Sequence, residues 1–332
     1  MKLKIGLAGH GAIARHCLVP AMHACRYAEL AGVCGRDAER CRRFAGEAGI
    51  PAWYADYEEM LADGEIDGVL LATPNYLHYP QVIAAAEAGK HVLCEKPMAL
   101  NMKEALQMVD ACESAGVVFM VGHHLRYKSC NIRAAEMVKN GDLGRISTAL
   151  AKWSFNIPGG RLEDAWRNKP ELSGGGQLMN VNAHCLDLLA YLFGKAVKVS
   201  AFLQRENDAE VEEGSTVIAE FTGGITAIAR GSYREHGVAN SLEIAGSASS
   251  LLVEGACSAG RHGTLRLMPS GDVEKAEFDE SPYAVEVDHF ARAVSENFEP
   301  ASSGRRTLDT MELIMAAYLS AETGEHIDLQ NR

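Results

Sequence analysis

Leu3-Lys4-Ile5-Gly6-Leu7-Ala8-Gly9-His10-Gly11-Ala12-Ile13-Ala14 sets the architecture of the first part of the chain. The apolar run Leu3–Ala8 reads as a strand and enters a G-x-G-x-x-A turn. A helical pattern follows from Ala12 to about Arg26 and carries Pro20. The first glycine permits the tight turn, the second lets the backbone approach a pyrophosphate, and the small third residue allows close helix–strand packing. The helix start adds N–H groups and positive dipole. Gly9, His10, Gly11, Ala12 and Ile13 are therefore expected to bind a dinucleotide.

Downstream the pattern repeats. Strand-like runs at Glu29–Cys34, Ile66–Ala72, His91–Cys94 and Val117–Val121 alternate with helical patterns at Ala38–Ala48, Pro80–Ala88 and Met102–Ala115. Such alternation means βαβ units and a parallel sheet of the doubly wound, Rossmann type. After about Gly122 the rhythm changes. A helix near Asn131–Lys139 precedes strand patterns at Ile146–Phe155, Val197–Gln204, Ser215–Phe221, Ile225–Tyr233, Ser241–Ala245 and Ser250–Val253. A long helix is expected over roughly Gly175–Phe193, and two more over Tyr283–Glu296 and Thr307–Ala321. The expected organisation is α/β: a dinucleotide-binding domain over 1–122 and an α+β domain over 123–332, built on a large, mostly antiparallel open sheet. A chain of 332 residues is long for one core, which agrees with two domains.

The end of the second strand selects between cofactors. An NAD site expects a carboxylate there for the ribose 2′-OH. This chain has Cys34-Gly35-Arg36-Asp37, with Arg40 one turn on. Gly35 in the carboxylate's place, with the Arg36 and Arg40 guanidiniums beside it, suits a 2′-phosphate. NADP(H) is favoured, with NAD(H) the alternative if Asp37 reaches the ribose; otherwise Asp37 caps the next helix.

Ligands of open α/β sheets lie at the carboxyl ends of the strands. Two strands end there in polar groups: one in Thr73-Pro74-Asn75-Tyr76-Leu77-His78, the other in Glu95-Lys96-Pro97. Thr73, Pro74, Asn75, His78, Glu95 and Lys96 are expected along the ribose and nicotinamide. A third stretch follows Trp166-Arg167, at Ser173-Gly174-Gly175-Gly176-Gln177 and onward to Asp187. On a helix, Asn180, His184 and Asp187 fall at i, i+4 and i+7, a polar stripe on one face. Buried polar groups need partners, so this stripe beside a triple glycine reads as a site.

Composition narrows the partners. With 32 Lys and Arg against 44 Asp and Glu, the net charge of −12 argues against a nucleic-acid or anionic-membrane surface. Nine cysteines without a C-x-x-C read as reduced thiols. Histidines and cysteines show no metal-ligand spacing, and no metal is expected. No apolar run is long enough to span a bilayer, and the N-terminus carries no signal-like segment, so a soluble cytoplasmic protein is expected.

Together these motifs resemble the glucose–fructose oxidoreductase/inositol dehydrogenase/rhizopine-catabolism (Gfo/Idh/MocA) family over nearly the whole chain. The resemblance rests on Gly9-x-Gly11-x-x-Ala14, Ala72-Thr73-Pro74-Asn75 with His78, and Gly89-Lys90-His91-Val92-Leu93-Cys94-Glu95-Lys96-Pro97. It continues through Gly122–Arg126, Trp166-Arg167, Gly174-Gly175-Gly176, His184-x-x-Asp187 and Ser320-Ala321-Glu322-Thr323-Gly324. It implies hydride transfer between nicotinamide and a secondary alcohol or ketone of a sugar, cyclitol or related polyol. It further implies Lys96 as the residue orienting the reacting hydroxyl, His184 as acid/base, and a homodimer or homotetramer built on the C-terminal sheet. Arg126, Trp153, Arg167 and Asn180 are candidate substrate contacts beside Lys96 and His184. Two departures stand out: Asn180 replaces the family's frequent Asp, and Asn182 replaces a common glycine, which puts its side chain in or near the pocket. The competing functions are an NAD-dependent glycosidase of the same fold, a dehydrogenase of a non-sugar diol, and a cofactor-sensing regulator without catalysis.

Overall fold

The computed structural model describes residues 2–157, 165–206, 209–236, 239–269 and 274–330. Two compact units emerge, 1–123 with 283–308 and 124–282 with 309–332. The segment 283–308, assigned to the second domain by its position in the sequence, packs with the first unit instead.

The first unit is a six-stranded sheet in the order β3-β2-β1-β4-β5-β6, all neighbours parallel. Its strands are β1 (Leu3–Ala8), β2 (Ala28–Cys34), β3 (Ala52–Tyr54), β4 (Gly68–Leu71), β5 (His91–Glu95) and β6 (Phe119–Gly122). Helices α1 (Val19–Ala24), α2 (Ala38–Ala48), α3 (Tyr57–Ala62), α4 (His78–Glu87) and α5 (Met102–Ala115) make the crossovers. This is the doubly wound order whose switch point lies between β1 and β4. The central strands are apolar runs because both faces are covered: every residue of β4 and β6 is buried. The helices start and stop on local chemistry. Asp37 accepts from Arg40 N at 3.0 Å to begin α2, Asp56 accepts from Glu58 N and Glu59 N to begin α3, and Asn101 accepts from Glu104 N to begin α5. Left-handed Gly49 and Gly116 end α2 and α5. β3 and α3 were not anticipated. They are three and six residues long, too short for a period to register.

The second unit is a nine-stranded mixed sheet. Its elements begin with α6 (Ser129–Asn140), β7 (Ile146–Ser154) and α7 (Pro170–Ser173), and continue with α8 (Ala183–Phe193), β8 (Ala196–Gln204), β9 (Gly214–Phe221), β10 (Ile225–Ser232), β11 (Ser241–Gly246), β12 (Ser249–Glu254), β13 (His262–Pro269) and β14 (Glu274–Asp279). After α9 (Pro282–Glu296), helix α10 (Gly304–Thr323) and β15 (Ile327–Asp328) complete the chain. The strand order is β14-β13-β12-β11-β7-β10-β9-β8-β15. The sheet is antiparallel except for β7 and β10, which run parallel. Helices α6 and α8 cover one face, and Lys128, fully buried, fastens the loop after β12 by donating to Gly255 O and Gly260 O.

The two helices that matter most for function are not uniform. The helix after the glycine loop has a π turn at Ala14–Leu18, and the one leading into α8 has a π turn at Leu178–Asn182. Such widened turns cluster at functional sites. The expected helix from Gly175 begins two residues later. Gly174 and Gly175 have φ of 80° and 151° and form a turn ahead of it.

Candidate active site

In the first unit the glycine loop has the form a dinucleotide requires. Gly9 takes φ 96°, and a Cβ there would lie 2.6 Å from Ala72 O, so only glycine fits. Above Gly11 the space is open to 4 Å, room for a pyrophosphate that a side chain would narrow. The first helical bond runs from Arg15 N to Gly11 O at 3.0 Å, which leaves the preceding N–H groups of the first turn without an intrahelical acceptor. Ala14 is fully buried beneath, as close helix–strand packing demands. These residues fit a nicotinamide dinucleotide.

At the end of β2, Asp37 caps α2 through Arg40 N, so its carboxylate is engaged by the backbone. The Arg36 and Arg40 side chains are exposed and enter no ion pair among the described residues. Burial pushes the Cys34 thiol, just before them, up to about 12.

The ends of β4 and β5 are neighbours, Leu71 pairing with Cys94. His78 joins the loops that follow them. It is buried, with Nδ1 2.8 Å from Pro97 O and Nε2 3.0 Å from Thr73 O. The expectation that His78 contacts the cofactor is thus replaced by a strut, since both ring nitrogens are spent on backbone carbonyls. Thr73 donates its hydroxyl to Gln81 Oε1 at 2.5 Å, and Asn75 is buried behind Pro74. Lys96 follows β5 half-buried, its peptide bond to Pro97 cis, and its backbone N–H donates to Glu95 Oε2 at 3.3 Å.

In the second unit, the end of β7 and the start of α8 bring aromatic rings together. His184 lies 5.1 Å from Trp153 and 4.6 Å from His124, centroid to centroid. One turn earlier, Asn180 Nδ2 donates to the Tyr233 hydroxyl oxygen at 2.6 Å, and Arg167, stacked 4.5 Å over Trp166, donates to Asn180 Oδ1 at 3.4 Å. Because the amide donates, the Tyr233 oxygen accepts and its own proton points elsewhere. A carboxylate at 180 would take that proton instead. Burial raises the Tyr233 pKa well above its ordinary value, so the proton stays on. Trp153, Arg167, Asn180 and His184 therefore form one cluster.

Arg126 stands apart from it. Its Nε and Nη2 donate to Asp187 Oδ2 at 2.8 Å and Oδ1 at 2.6 Å, and Thr310 adds a 2.9 Å bond to the same carboxylate. Arg126 and Asp187 are a buried bidentate ion pair, a packing role that displaces the expected substrate contact. Asn182 also turns away from the expected pocket. It is fully buried and donates to Ser215 Oγ at 2.8 Å and Ala229 O at 3.2 Å, beneath the helix.

Sequence reasoning missed Tyr233, His124 and Glu212. Glu212, buried, collects Gly176 N at 3.0 Å, Leu178 N at 2.9 Å and the Tyr318 hydroxyl at 2.8 Å on one oxygen. It thereby caps the helix carrying Asn180 and His184. A signal existed only in the close approach that Gly176 allows, since a Cβ there would collide with Glu212 O. Glu212→Ala should lower stability by about 3 kcal/mol by stranding several donors, read as a lower urea midpoint at unchanged m. Glu212→Gln, which keeps the acceptor oxygen, should lose less than half as much.

Among the described residues no three His, Cys, Asp or Glu side chains gather as a metal site, and no helix is long and apolar enough to cross a membrane. All nine cysteines are free, eight of them buried.

Residues 3–123 match the model of an oxidoreductase family with an NAD-binding Rossmann fold, and residues 132–252 match the GFO/IDH/MocA C-terminal domain. D-xylose 1-dehydrogenase (NADP(+)) 2 of Haloferax volcanii is 32% identical over 336 residues, covering 98% of this chain and 100% of that protein. The chain belongs to the Gfo/Idh/MocA family. A second relative, 1,5-anhydro-D-fructose reductase of Ensifer adhaerens, is 28% identical over 98% of each chain. The solved aldose-aldose oxidoreductase of Caulobacter crescentus, crystallised with glycerol, superposes with a TM-score of 0.92 at 28% identity, covering 99% of this chain and 100% of that one. As a Gfo/Idh/MocA member this chain is an NAD(P)-dependent oxidoreductase, with the parallel sheet and the mostly antiparallel sheet that its sequence implied.

Proposed function

We propose that this Gfo/Idh/MocA protein is an NADP(H)-preferring dehydrogenase or reductase acting on a secondary alcohol or ketone of a sugar, cyclitol or related polyol. Lys96 and His184 handle the proton. The observation that carries the reading is Lys96 itself, a half-buried ammonium at the carboxyl end of β5, on the same sheet edge as the Gly9–Gly11 loop. The printed names of the relatives, a xylose dehydrogenase and an anhydrofructose reductase, support the substrate class.

When bound, the nicotinamide cofactor gives or takes the hydride. Everything else falls to side chains of this chain. The Lys96 ammonium orients the reacting oxygen and lowers the cost of negative charge developing on it. The His184 imidazole accepts the hydroxyl proton in oxidation and returns it in reduction. Trp153 walls the imidazole, and Asn180 and Arg167 hold substrate hydroxyls. The Asn180 amide cannot neutralise an imidazolium as a carboxylate would, so His184 relies on the rest of its surroundings. Glu95, Thr73, Pro74 and Asn75 border the ribose side.

Three features support the NADP(H) preference: Gly35 in place of a carboxylate, Asp37 engaged as a cap, and exposed Arg36 and Arg40. Arg36→Ala should weaken NADPH roughly tenfold, or ~1.4 kcal/mol, and NADH by less than about twofold. Fluorescence titration with both cofactors reads this directly, and equal losses would remove the preference.

The uncovered face of the nine-stranded sheet supports homodimer or homotetramer assembly. Phe202 of β8, Ile218 of β9 and Met268 of β13 are exposed there beside Leu150, Ile228 and Leu252. Light scattering of the purified protein tests it, a monomer at micromolar concentration being the contrary result.

A further inference from the structure

His10 is the middle residue of the cofactor loop, and its imidazole has no part in the chemistry above. A Cβ on Gly35 would collide with the His10 ring and lie 2.5 Å from its Nε2. The imidazole therefore fills the volume that a side chain at position 35 would enter. At the end of β2 that volume belongs, in NAD sites, to the carboxylate that accepts from the ribose 2′-OH.

The ring is held in place. It packs against Phe44 of α2, centroids 5.8 Å apart and planes at 38°, and it is half-buried. Phe44 in turn carries the Arg15 guanidinium 4.9 Å from its centroid, and Arg15 pairs with Glu47 at 2.7 Å. The charged groups acting on His10 are Arg40 and Asp37 from the start of α2 and Arg15 from the loop's own helix. Burial holds the imidazole below its usual 6.5, Arg40 and Arg15 add to that, and Asp37 opposes it.

We infer that His10 is a specificity-determining residue for the cofactor, taking the place of the absent carboxylate and offering a ring N–H to a 2′-phosphate beside Arg36 and Arg40. The inference rests on the NADP(H) reading and deepens it. An acceptor at this place favours a ribose hydroxyl, and a donor favours a phosphate while leaving the hydroxyl poorly matched. Discrimination then comes from a swap of hydrogen-bond polarity as much as from added positive charge. A phosphate also draws a proton onto the ring, so NADPH affinity carries a pH dependence that NADH affinity lacks. The 2′-phosphate's own ionisation near pH ~6 runs in the opposite sense and is common to all variants.

The test is equilibrium binding of NADPH and NADH to the full-length protein by fluorescence titration, at about pH 6.5 and about pH 8.5. Wild type is compared with His10→Phe, which keeps the ring volume, and His10→Gln, which keeps an N–H donor of similar reach. The expected result is a loss of roughly tenfold in NADPH affinity for His10→Phe, largest at the lower pH, with NADH within about twofold. His10→Gln should recover more than half of the loss. Wild-type NADPH affinity in His10→Phe, or equal losses in both variants, overturns the inference while the NADP(H) reading stands. Equal binding of the two cofactors by wild type overturns both.

Discussion

Lys96→Ala is expected to cut the rate of hydride transfer by at least ~10³-fold while leaving NADPH affinity within about threefold, or ~0.7 kcal/mol. The asymmetry follows from where the side chain sits. Lys96 leaves the carboxyl end of β5, and on the proposed reading the dinucleotide is held chiefly by the glycine loop after β1 and the basic residues after β2. Removing the ammonium takes away a charge that matters most when negative charge grows on the substrate oxygen. That is a transition-state interaction, so kcat falls rather than the cofactor dissociation constant rising. The loop carrying Lys96 should survive the substitution, because His78 anchors Pro97 O from a buried position. Single-turnover absorbance at the nicotinamide band separates the two quantities, and a wild-type rate in the variant would remove Lys96 from the mechanism.

Arg126→Ala is expected to lower the stability of the second unit by about 3–5 kcal/mol. Asp187 is fully buried, and the substitution removes both guanidinium bonds to its carboxylate. A buried carboxylate stripped of its cation is costly, far more so than the pair is favourable. The double substitution Arg126→Met with Asp187→Leu should therefore be much more stable than Arg126→Ala alone. Urea unfolding of the three proteins reads the difference. A loss under about 1 kcal/mol in Arg126→Ala would show the carboxylate to be solvated and the arginine available for substrate.

Much of the fold was legible because its signals are local. The glycine loop needs glycine for a positive φ at Gly9 and for open space at Gly11, and both needs show in the residue type. Strands β1, β2, β5 and β7 to β12 were found by their apolar period, and α2 and α5 to within a residue. What escaped was short or non-local. The return of 283–308 to the first unit depends on bonds such as Val121 N to Ser302 O, between residues 181 apart in sequence. Strand β13 is interrupted by Gly263 and ends at Pro269, β14 is mostly charged, and the two-residue β15 has no period at all.

The site shows the same division. His184 and Lys96 were picked out by residue type at strand ends and on a helix face. Arg126 was misread because its partner Asp187 lies 61 residues away, and no spacing rule links them. The members of the helical stripe part company. Asn180 lies within a π turn and meets Tyr233, His184 follows that turn and meets the Trp153 ring, and Asp187 turns inward to the ion pair. Asn182 was expected near the pocket from its side chain alone, yet the widened turn directs it to the sheet.

Steady-state turnover across a panel of aldoses, ketoses and cyclitols, with NADP(H) and NAD(H) in parallel and Lys96→Ala beside wild type, tests the central claim most directly. Saturable turnover of at least one such compound is predicted, with kcat/KM at least about tenfold higher for NADP(H) and lost in Lys96→Ala. Tight NADPH binding with no turnover anywhere in the panel, or turnover that Lys96→Ala leaves at the wild-type rate, would contradict it.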